Sequence, residues 1–333
     1  MRLLAAALLA CLPLSGLATE TYGPRLEGFE YPYPVKTFRF ESQRQPLEMA
    51  YIDVPAGGNR FAGTVVLLHG KNFCAATWKD TIAALSAAGY RVIAPDQIGF
   101  CKSSKPERYQ YSFGQLAANT QALLEHLGEG EGKLHIVGHS MGGMLAARFA
   151  LMYPQRAISL SLVNPIGLED WKAKGVPWRS IDAWYAGELK TSFDSIRNYQ
   201  LDVYYNGQWT PAYEQWARMQ SGMYDGHGKQ TVAWSQALTS DMVFNQPVVH
   251  ELPNLTVPTT LFIGQTDRTA IGRDLAPPAV KATLGNYPAL GRAAAAAIPG
   301  AQLVEFAELG HSPQVQDPAQ FNAALLKALA DRR

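Results

Sequence analysis

The chain has 333 residues, of which 47% are hydrophobic and 17% are charged, and its formal net charge is +1 at pH 7. This composition is typical of a globular protein and excludes a largely disordered chain. A chain of this length can form one large α/β domain with an insertion, or two ordinary domains. The near-neutral charge gives no electrostatic reason to expect nucleic acid or an anionic membrane as a partner.

The N-terminal segment, residues 1–18, combines one arginine, an apolar stretch and small residues, which is typical of a secretory signal peptide. Gly16 and Ala18 suit the small residues that precede a cleavage site, so we expect cleavage after Ala18 and a periplasmic or secreted protein. A membrane anchor is disfavoured because the apolar run is short and interrupted by Pro13. Lipid attachment at Cys11 is a further alternative, disfavoured because the apolar stretch continues beyond that cysteine.

Strand-like and helix-like segments alternate along the next part of the chain. The segments "VKTFRFES" and "LEMAYIDV" resemble antiparallel strands, and "GTVVLLHG" and "YRVIAPD" are the continuous apolar runs expected in a sheet covered on both faces. T-W-K-D and S-F-G-Q resemble capping boxes, which predict helices that begin at Thr77 and Ser112. Strands that alternate with helices predict a mostly parallel sheet with helices on both faces.

The alternation breaks at Pro165 and resumes after residue 250. The intervening segment, 165–250, contains six of the seven tryptophans. We therefore predict a core formed by 19–164 and 251–333, with 165–250 inserted after the sixth strand as a cap.

A serine lies between a predicted strand and a predicted helix in the stretch "KLHIVGHSMGGMLAARFA". Its neighbours, residues 138–142, fit the pattern G-x-S-x-G. Glycine on both sides relieves the crowding of a backbone that turns directly from strand into helix. This pattern predicts that Ser140 lies at the apex of the turn, with its hydroxyl exposed at the end of the sheet.

Other reactive side chains also follow predicted strands: His69 comes after "VVLL", Asp267 after "LFIGQT", and His311 in the turn after "LVEF". In α/β sheets such residues meet at the carboxyl edge. Nearly the whole mature chain resembles the α/β-hydrolase-fold serine hydrolases. The segments that carry the resemblance follow the family's order: "HGKNF", "DQIGFCKS", "GHSMGG", "GQTD" and "LGHSPQVQDP". The resemblance implies an α/β fold with a mostly parallel eight-stranded sheet flanked by helices and an inserted helical cap.

The resemblance also implies a catalytic triad. A serine hydroxyl needs a neighbouring base, and imidazole titrates near neutrality, so Ser140 is the expected nucleophile and His311 the expected base. Asp267 is expected to orient that imidazole. Some relatives place the acid after the sixth strand, where this chain has Asn164 and no carboxylate, and the remaining candidates for the acid are Glu169 and Asp170.

The same family binds the oxyanion of the tetrahedral intermediate through backbone N–H groups. By resemblance these belong to Met141 and Lys71, and the side-chain amide of Asn72 is an alternative donor. The Lys71 ammonium is expected to form a surface ion pair, or alternatively to contact an acidic substrate.

Two cysteines, Cys74 and Cys101, remain after cleavage, in loops that follow neighbouring strands of this family's sheet. The resemblance predicts a disulfide that braces the oxyanion loop, and two buried free thiols are the alternative. Asp96 is expected to have a structural role in its turn, and His139 to be packed rather than catalytic.

These expectations together predict an exported enzyme that cleaves a carboxylic ester of a small or medium apolar or aromatic substrate through an acyl-enzyme. The cap would supply a largely apolar pocket, and its candidate lining residues are Trp171, Trp178 and Trp184. A lactonase, amidase, perhydrolase or carbon–carbon bond hydrolase uses the same serine arrangement, and a ligand-binding module without activity is the alternative of a different class. No cofactor and no metal site are expected.

Overall fold

The structure is a computed structural model that describes residues 20–58 and 60–332. The predicted signal peptide, its cleavage site after Ala18 and the alternative lipid site at Cys11 lie outside the described residues. Within the described ranges, no helix is long and apolar enough to cross a membrane.

Eight strands form one sheet in the order β1-β2-β4-β3-β5-β6-β7-β8. The second strand runs antiparallel to both of its neighbours, and every other neighbouring pair is parallel. The predicted fold class, a mostly parallel eight-stranded sheet flanked by helices, is confirmed. The strands are β1 (Val35–Ser42), β2 (Gln45–Val54), β3 (Gly63–Leu68), β4 (Tyr90–Pro95), β5 (Leu134–His139), β6 (Ala157–Val163), β7 (Thr259–Gly264) and β8 (Gln302–Phe306).

Helices cover both faces of this sheet, and four of them, α4 to α7, lie between β6 and β7 in the chain. The aromatic segment after the sixth strand is therefore helical, as expected. The helices are α1 (Lys79–Ala87), α2 (Phe113–His126), α3 (Met141–Met152), α4 (Ile181–Glu188), α5 (Phe193–Val203), α6 (Pro211–Asp225), α7 (Lys229–Asn245), α8 (Pro278–Lys281), α9 (Tyr287–Ala297), α10 (Pro313–Gln316) and α11 (Pro318–Ala330).

The central strands are buried on both faces, which explains their continuous apolar sequences. All six residues of β7 are buried, and their side chains alternate between two hydrophobic clusters. Leu261 and Ile263 belong to one cluster, while Phe262 belongs to the cluster on the other face. The two-sided core fixes the strands in register, so the loops at their carboxyl ends start from defined positions.

The two predicted capping boxes have different outcomes. Ser112 caps α2 as expected, because its Oγ accepts a hydrogen bond from the backbone N–H of Gln115 at 3.0 Å. The prediction at Thr77 was wrong, since a 3₁₀ turn occupies 75–78 and α1 begins only at Lys79. The Thr77 hydroxyl donates to the carbonyl of Cys74 at 2.6 Å and is thus engaged with the preceding turn.

Candidate active site

Ser140 lies in the sharp turn between β5 and α3, with a left-handed backbone at φ 56° and ψ −120°. A non-glycine residue with such a φ is strained and persists only where the surroundings enforce it. Here the enforcement is close backbone packing: a Cβ on Gly142 would lie 2.1 Å from the carbonyl oxygen of Leu68 in β3. The glycines of the motif therefore allow α3 to start directly against the neighbouring strand.

His311 lies between Ser140 and Asp267. Its Nε2 is 2.9 Å from the Ser140 Oγ, and its Nδ1 is 2.7 Å from an Asp267 carboxylate oxygen. An ionised carboxylate only accepts hydrogen bonds, so Nδ1 carries the proton and Nε2 is left to accept from the serine hydroxyl. Asp267 and His311 are fully buried, and Ser140 is 4% exposed. The structure therefore brings the three predicted residues together in the arrangement of a nucleophile, a base and an orienting acid.

Two further side chains hold the Asp267 carboxylate, and sequence reasoning missed both of them. The Asn164 amide donates to one oxygen at 2.9 Å. The other oxygen accepts from the Thr269 backbone N–H at 2.8 Å and from its hydroxyl at 2.6 Å. In the sequence, Asn164 is notable only because it stands where some relatives have the acid. Thr269 could have been found, because an aspartate that accepts a hydrogen bond from the backbone two residues later is a common turn motif. A buried charge with four hydrogen bonds is fixed in place and compensated for its lost hydration.

The predicted oxyanion donors lie next to Ser140. Met141 is the first residue of α3, so its N–H has no acceptor within the helix. Among the residues that the structure describes, the Lys71 N–H also has no acceptor. A Cβ on Gly70 would lie 2.9 Å from the Cβ of Ser140, which shows how closely this loop approaches the serine.

The side chains of this loop face α4 to α7. Lys71 Nζ donates to Gln236 at 2.9 Å and to Glu188 at 3.3 Å. Its side chain is 13% exposed, so the expected ion pair exists but is largely buried rather than on the surface. Asn72 donates its amide to the Tyr204 hydroxyl at 3.0 Å and accepts from Gln220 at 3.2 Å.

His139 is packed behind the site, as expected from its position beside the serine. Its Nε2–H donates to the backbone carbonyl of His311 at 2.8 Å. Burial lowers the pKa of His139 well below its usual value, and the neighbouring His311 lowers it further. A neutral His139 therefore supports the His311 loop without adding a second positive charge.

Asp96 and the two cysteines lie in the loops that follow β3 and β4. The Asp96 carboxylate accepts hydrogen bonds from the backbone N–H groups of Ala75 and Lys102 and from the Tyr31 hydroxyl. Its expected structural role in the turn matches these contacts. The Sγ atoms of Cys74 and Cys101 lie at bonding distance, with their Cα atoms 6.0 Å apart, within the range of ordinary disulfides.

The alternative acids have other partners. Glu169 is buried, pairs with Lys174 and accepts from the backbone N–H of Gly285 at 3.0 Å. Asp170 accepts from His250 at 2.9 Å. Neither carboxylate contacts His311 among the described residues.

A cavity of about 340 Å³ opens at Ser140, between the sheet edge and the helices α4 to α7. Its volume suits a small or medium ligand. Ile166, Ile196, Ile271 and tyrosine rings supply an apolar part of the wall. Most of the lining surface is apolar, which agrees with the expectation of a largely apolar pocket. Polar residues supply the smaller part, and they include Lys71, Asn72, Ser195, Gln200, Gln220 and Arg273.

Only one of the three predicted pocket tryptophans lines this cavity. Trp184 does so, whereas Trp171 is buried against Phe244 with the two rings stacked 6.3 Å apart. Trp178 is 64% exposed and also lies outside the cavity wall. Tryptophan content alone did not separate residues that stabilise the insertion from residues that face the cavity, because both roles use the same side chain.

Comparison with known proteins agrees with this geometry. A family model described as the alpha/beta hydrolase family matches residues 65–324, which include the serine turn, the aspartate and the histidine. The chain belongs to the alpha/beta hydrolase family. It is a hydrolase with the mostly parallel sheet of that family.

Individual proteins extend the comparison. A probable hydrolytic enzyme from Pseudomonas aeruginosa PAO1 has a solved structure that is 60% identical, with a TM-score of 0.90 over 93% of this chain and 99% of that one. The 2-hydroxy-6-oxononadienedioate/2-hydroxy-6-oxononatrienedioate hydrolase of Comamonas testosteroni is 29% identical, over 80% of this chain and 87% of its own. A thermophilic esterase from Thermogutta terrifontis, 22% identical with a TM-score of 0.66 over 89% of this chain and 98% of its own, shares the fold.

Proposed function

We propose that the protein is a serine hydrolase that cleaves a carboxylic ester through an acyl-enzyme. The observation that carries this proposal is the unbroken hydrogen-bonded series from Ser140 through His311 to Asp267, at 2.9 and 2.7 Å. Ser140 lines a cavity of about 340 Å³, which gives an ester access to the serine.

In the proposed reaction, Ser140 Oγ attacks the ester carbonyl while His311 Nε2 takes the hydroxyl proton. The backbone N–H groups of Met141 and Lys71 donate hydrogen bonds to the developing oxyanion, each contributing about 3 kcal/mol of transition-state stabilisation. The imidazolium then protonates the leaving alkoxide. Water, deprotonated by the same imidazole, attacks the acyl-enzyme, and Ser140 recovers its proton as the acid is released.

The cavity favours a small or medium acyl group with an apolar part and a polar substituent. Its apolar wall accommodates a short chain or a ring, and its polar side chains supply hydrogen bonds for an oxygen-bearing group. Residues 165–250 act as the cap in this proposal, since they supply one side of the cavity, and residues 19–164 and 251–333 form the catalytic core.

We also propose that the protein acts outside the cytoplasm and that Cys74 and Cys101 form a disulfide there. The signal-like sequence of residues 1–18 supports export, and the proximity of the two Sγ atoms supports the bond. Disulfides persist in oxidising compartments, so the two proposals are consistent with each other.

A second candidate is hydrolysis of a carbon–carbon bond next to a ketone. The relative from Comamonas testosteroni favours it, because the substrates in that protein's name carry an oxo group and two carboxylates. The same serine and histidine would serve both reactions, so the bond cleaved is decided by the substrate that the cavity accepts.

Hydrolysis of p-nitrophenyl esters from acetate to palmitate by the mature protein, with Ser140→Ala alongside, tests the proposal. We expect turnover that is greatest for short or medium chains and falls at least about 10⁴-fold in the variant. A 2-hydroxy-6-oxo-dienedioate in the same assay tests the second candidate. Turnover of that compound without turnover of any ester would replace the first proposal by the second.

A further inference from the structure

Tyr204 of the insertion contacts the proposed base directly. It follows the last residue of α5, is 4% exposed, and its ring lies over the His311 imidazole with centroids 4.2 Å apart and planes inclined by 31°. Its backbone carbonyl accepts the N–H of His311 at 3.0 Å. One residue outside the core thus holds both the ring and the main chain of His311.

The end of α5 also holds the loop of the acid. The last carbonyls of a helix accept no hydrogen bond within it and need donors from elsewhere. The carbonyl of Val203 accepts the N–H of Arg268, the residue after Asp267, at 3.1 Å, and the carbonyl of Tyr204 accepts the N–H of His311. Two successive carbonyls therefore join the acid loop and the base loop to the same helix end.

A glycine makes this approach possible. A Cβ on Gly310 would lie 1.9 Å from the carbonyl oxygen of Tyr204, so a side chain at residue 310 would force the helix end away from the histidine loop. The close contact is main chain against main chain, which leaves little freedom for either segment to shift.

The phenol of Tyr204 reaches the third loop of the site. Its hydroxyl accepts from the Asn72 amide at 3.0 Å, and Asn72 follows Lys71, the proposed oxyanion donor. Burial raises the pKa of Tyr204 well above its usual value, so the phenol remains neutral. The residue therefore contacts the oxyanion loop without placing a negative charge beside the imidazole.

From these contacts we infer that Tyr204 is a positioning residue, whose ring holds the His311 imidazole with Nε2 directed at Ser140. The inference rests on the proposed function for the identity of the base. The ring covers one face of the imidazole, which excludes water from it and restricts its rotation about the bond to Cβ. The insertion then has a part in the chemical step as well as in substrate binding.

Two substitutions separate the ring from the hydroxyl. Tyr204→Leu removes the ring, and we expect kcat to fall by about 10- to 100-fold with KM nearly unchanged, because small misplacements of a catalytic group cost up to about 100-fold. Tyr204→Phe keeps the ring and loses a single hydrogen bond, so kcat should remain within about fivefold of wild type. A short ester such as p-nitrophenyl acetate is the substrate, since it makes few contacts with the cavity.

A matched control accounts for general damage to the insertion. Tyr185 is a half-buried tyrosine of α4 whose ring packs on Trp234 at 5.6 Å. Tyr185→Leu makes the same change of side chain away from His311, and it should leave kcat at the wild-type value. A loss of kcat in Tyr185→Leu equal to that in Tyr204→Leu would overturn the inference.

The low-field proton resonance of the His311 Nδ1–H bonded to Asp267 gives a readout that needs no turnover. We expect it in wild type, Tyr204→Phe and Tyr185→Leu, and we expect it to broaden or vanish in Tyr204→Leu with fold retained by circular dichroism. If Tyr204→Leu fails to fold, Tyr204→Met, which fills the space with a flexible chain, takes its place.

Two further results would each overturn the inference: a Leu or Met variant with wild-type kcat and an unchanged resonance, or a Phe variant as impaired as the Leu variant. Failure of the proposed function has a different signature. Wild type would then turn over no ester, while the resonance would still show whether the ring of Tyr204 holds His311.

Discussion

The sheet edge and the insertion hold the site in different ways. At the sheet edge, the Asp267 carboxylate receives all four of its hydrogen bonds from Asn164, Thr269 and His311, which lie on the loops that follow core strands. The insertion reaches the same site through the stacked ring and carbonyl of Tyr204 and through polar contacts to Lys71 and Asn72. The core therefore fixes the relative positions of Ser140, His311 and Asp267, and the insertion covers them and supplies one side of the cavity. Substitutions on the two sides should then differ in kind, with losses of rate from the core and losses of binding from most of the insertion.

The largest effect after removal of the serine is expected from Asp267→Asn. The amide cannot stabilise the imidazolium and favours the wrong tautomer of His311, so we expect kcat to fall by about 10²- to 10⁴-fold with KM little changed. Steady-state kinetics on a short ester measures both quantities.

Glu169→Gln is the matched control for that substitution. Glu169 is also a buried carboxylate, but its partners are Lys174 and Gly285. We expect it to lower stability while kcat remains near wild type. A variant at Glu169 that lost activity while Asp267→Asn kept it would show that the acid has been assigned to the wrong residue.

An intermediate effect is expected from the double substitution Cys74→Ser/Cys101→Ser, which acts on core loops beneath the insertion. The bond would join two cysteines with a sequence separation of 27. Loss of a bond that closes a loop of this size should lower the free energy of unfolding by about 3 kcal/mol. Thermal unfolding of the mature protein measures the change. Reduced wild type should match the variant, and two free thiols titrated in denatured, unreduced wild type would contradict the proposed disulfide.

The smallest effect is expected from Glu188→Gln, which removes the ion pair between the insertion and Lys71. The pair is largely buried, with side-chain exposures of 13% for Lys71 and 17% for Glu188. We expect KM for a medium-chain ester to rise by roughly two- to fivefold while kcat is retained, since the new amide oxygen can still accept from Lys71 and the Gln236 contact remains. Glu214→Gln, which breaks a pair with Arg218 inside α6, should leave KM unchanged. A loss of kcat in Glu188→Gln as large as that in Asp267→Asn would remove the distinction between the two regions.

The residues proposed to carry the chemistry could be selected from the sequence because their selection depends on local patterns. Ser140 lies in a strand–turn–helix motif that needs its glycines, and Asp267 and His311 follow strands whose apolar sequences identify them. Asn164 and Tyr204 were not predictable in their roles, since each acts on a partner more than 100 residues away in the chain. Such contacts depend on how the insertion and the strand ends pack, which no local pattern records.

The cavity was the least predictable part. Tryptophans are abundant in the insertion, but Trp171 is buried against Phe244 while Trp178 faces solvent. Trp171 and Trp178 lie before α4, outside any helix or strand, so no helical or strand period indicates which way their side chains point. Composition predicted an aromatic insertion but did not identify the face that lines the cavity.

Glycine packing at the sheet edge has a consequence for engineering the enzyme. Added Cβ atoms at Gly138, Gly142, Gly264 and Gly310 would each lie within 2.1 Å of a backbone carbonyl oxygen. At these four positions the turns of the site therefore pack main chain against main chain. A library that varies Ile196, Gln220 or Arg273 can reshape selectivity while the catalytic framework keeps its dimensions, and the four glycines should be excluded from randomisation.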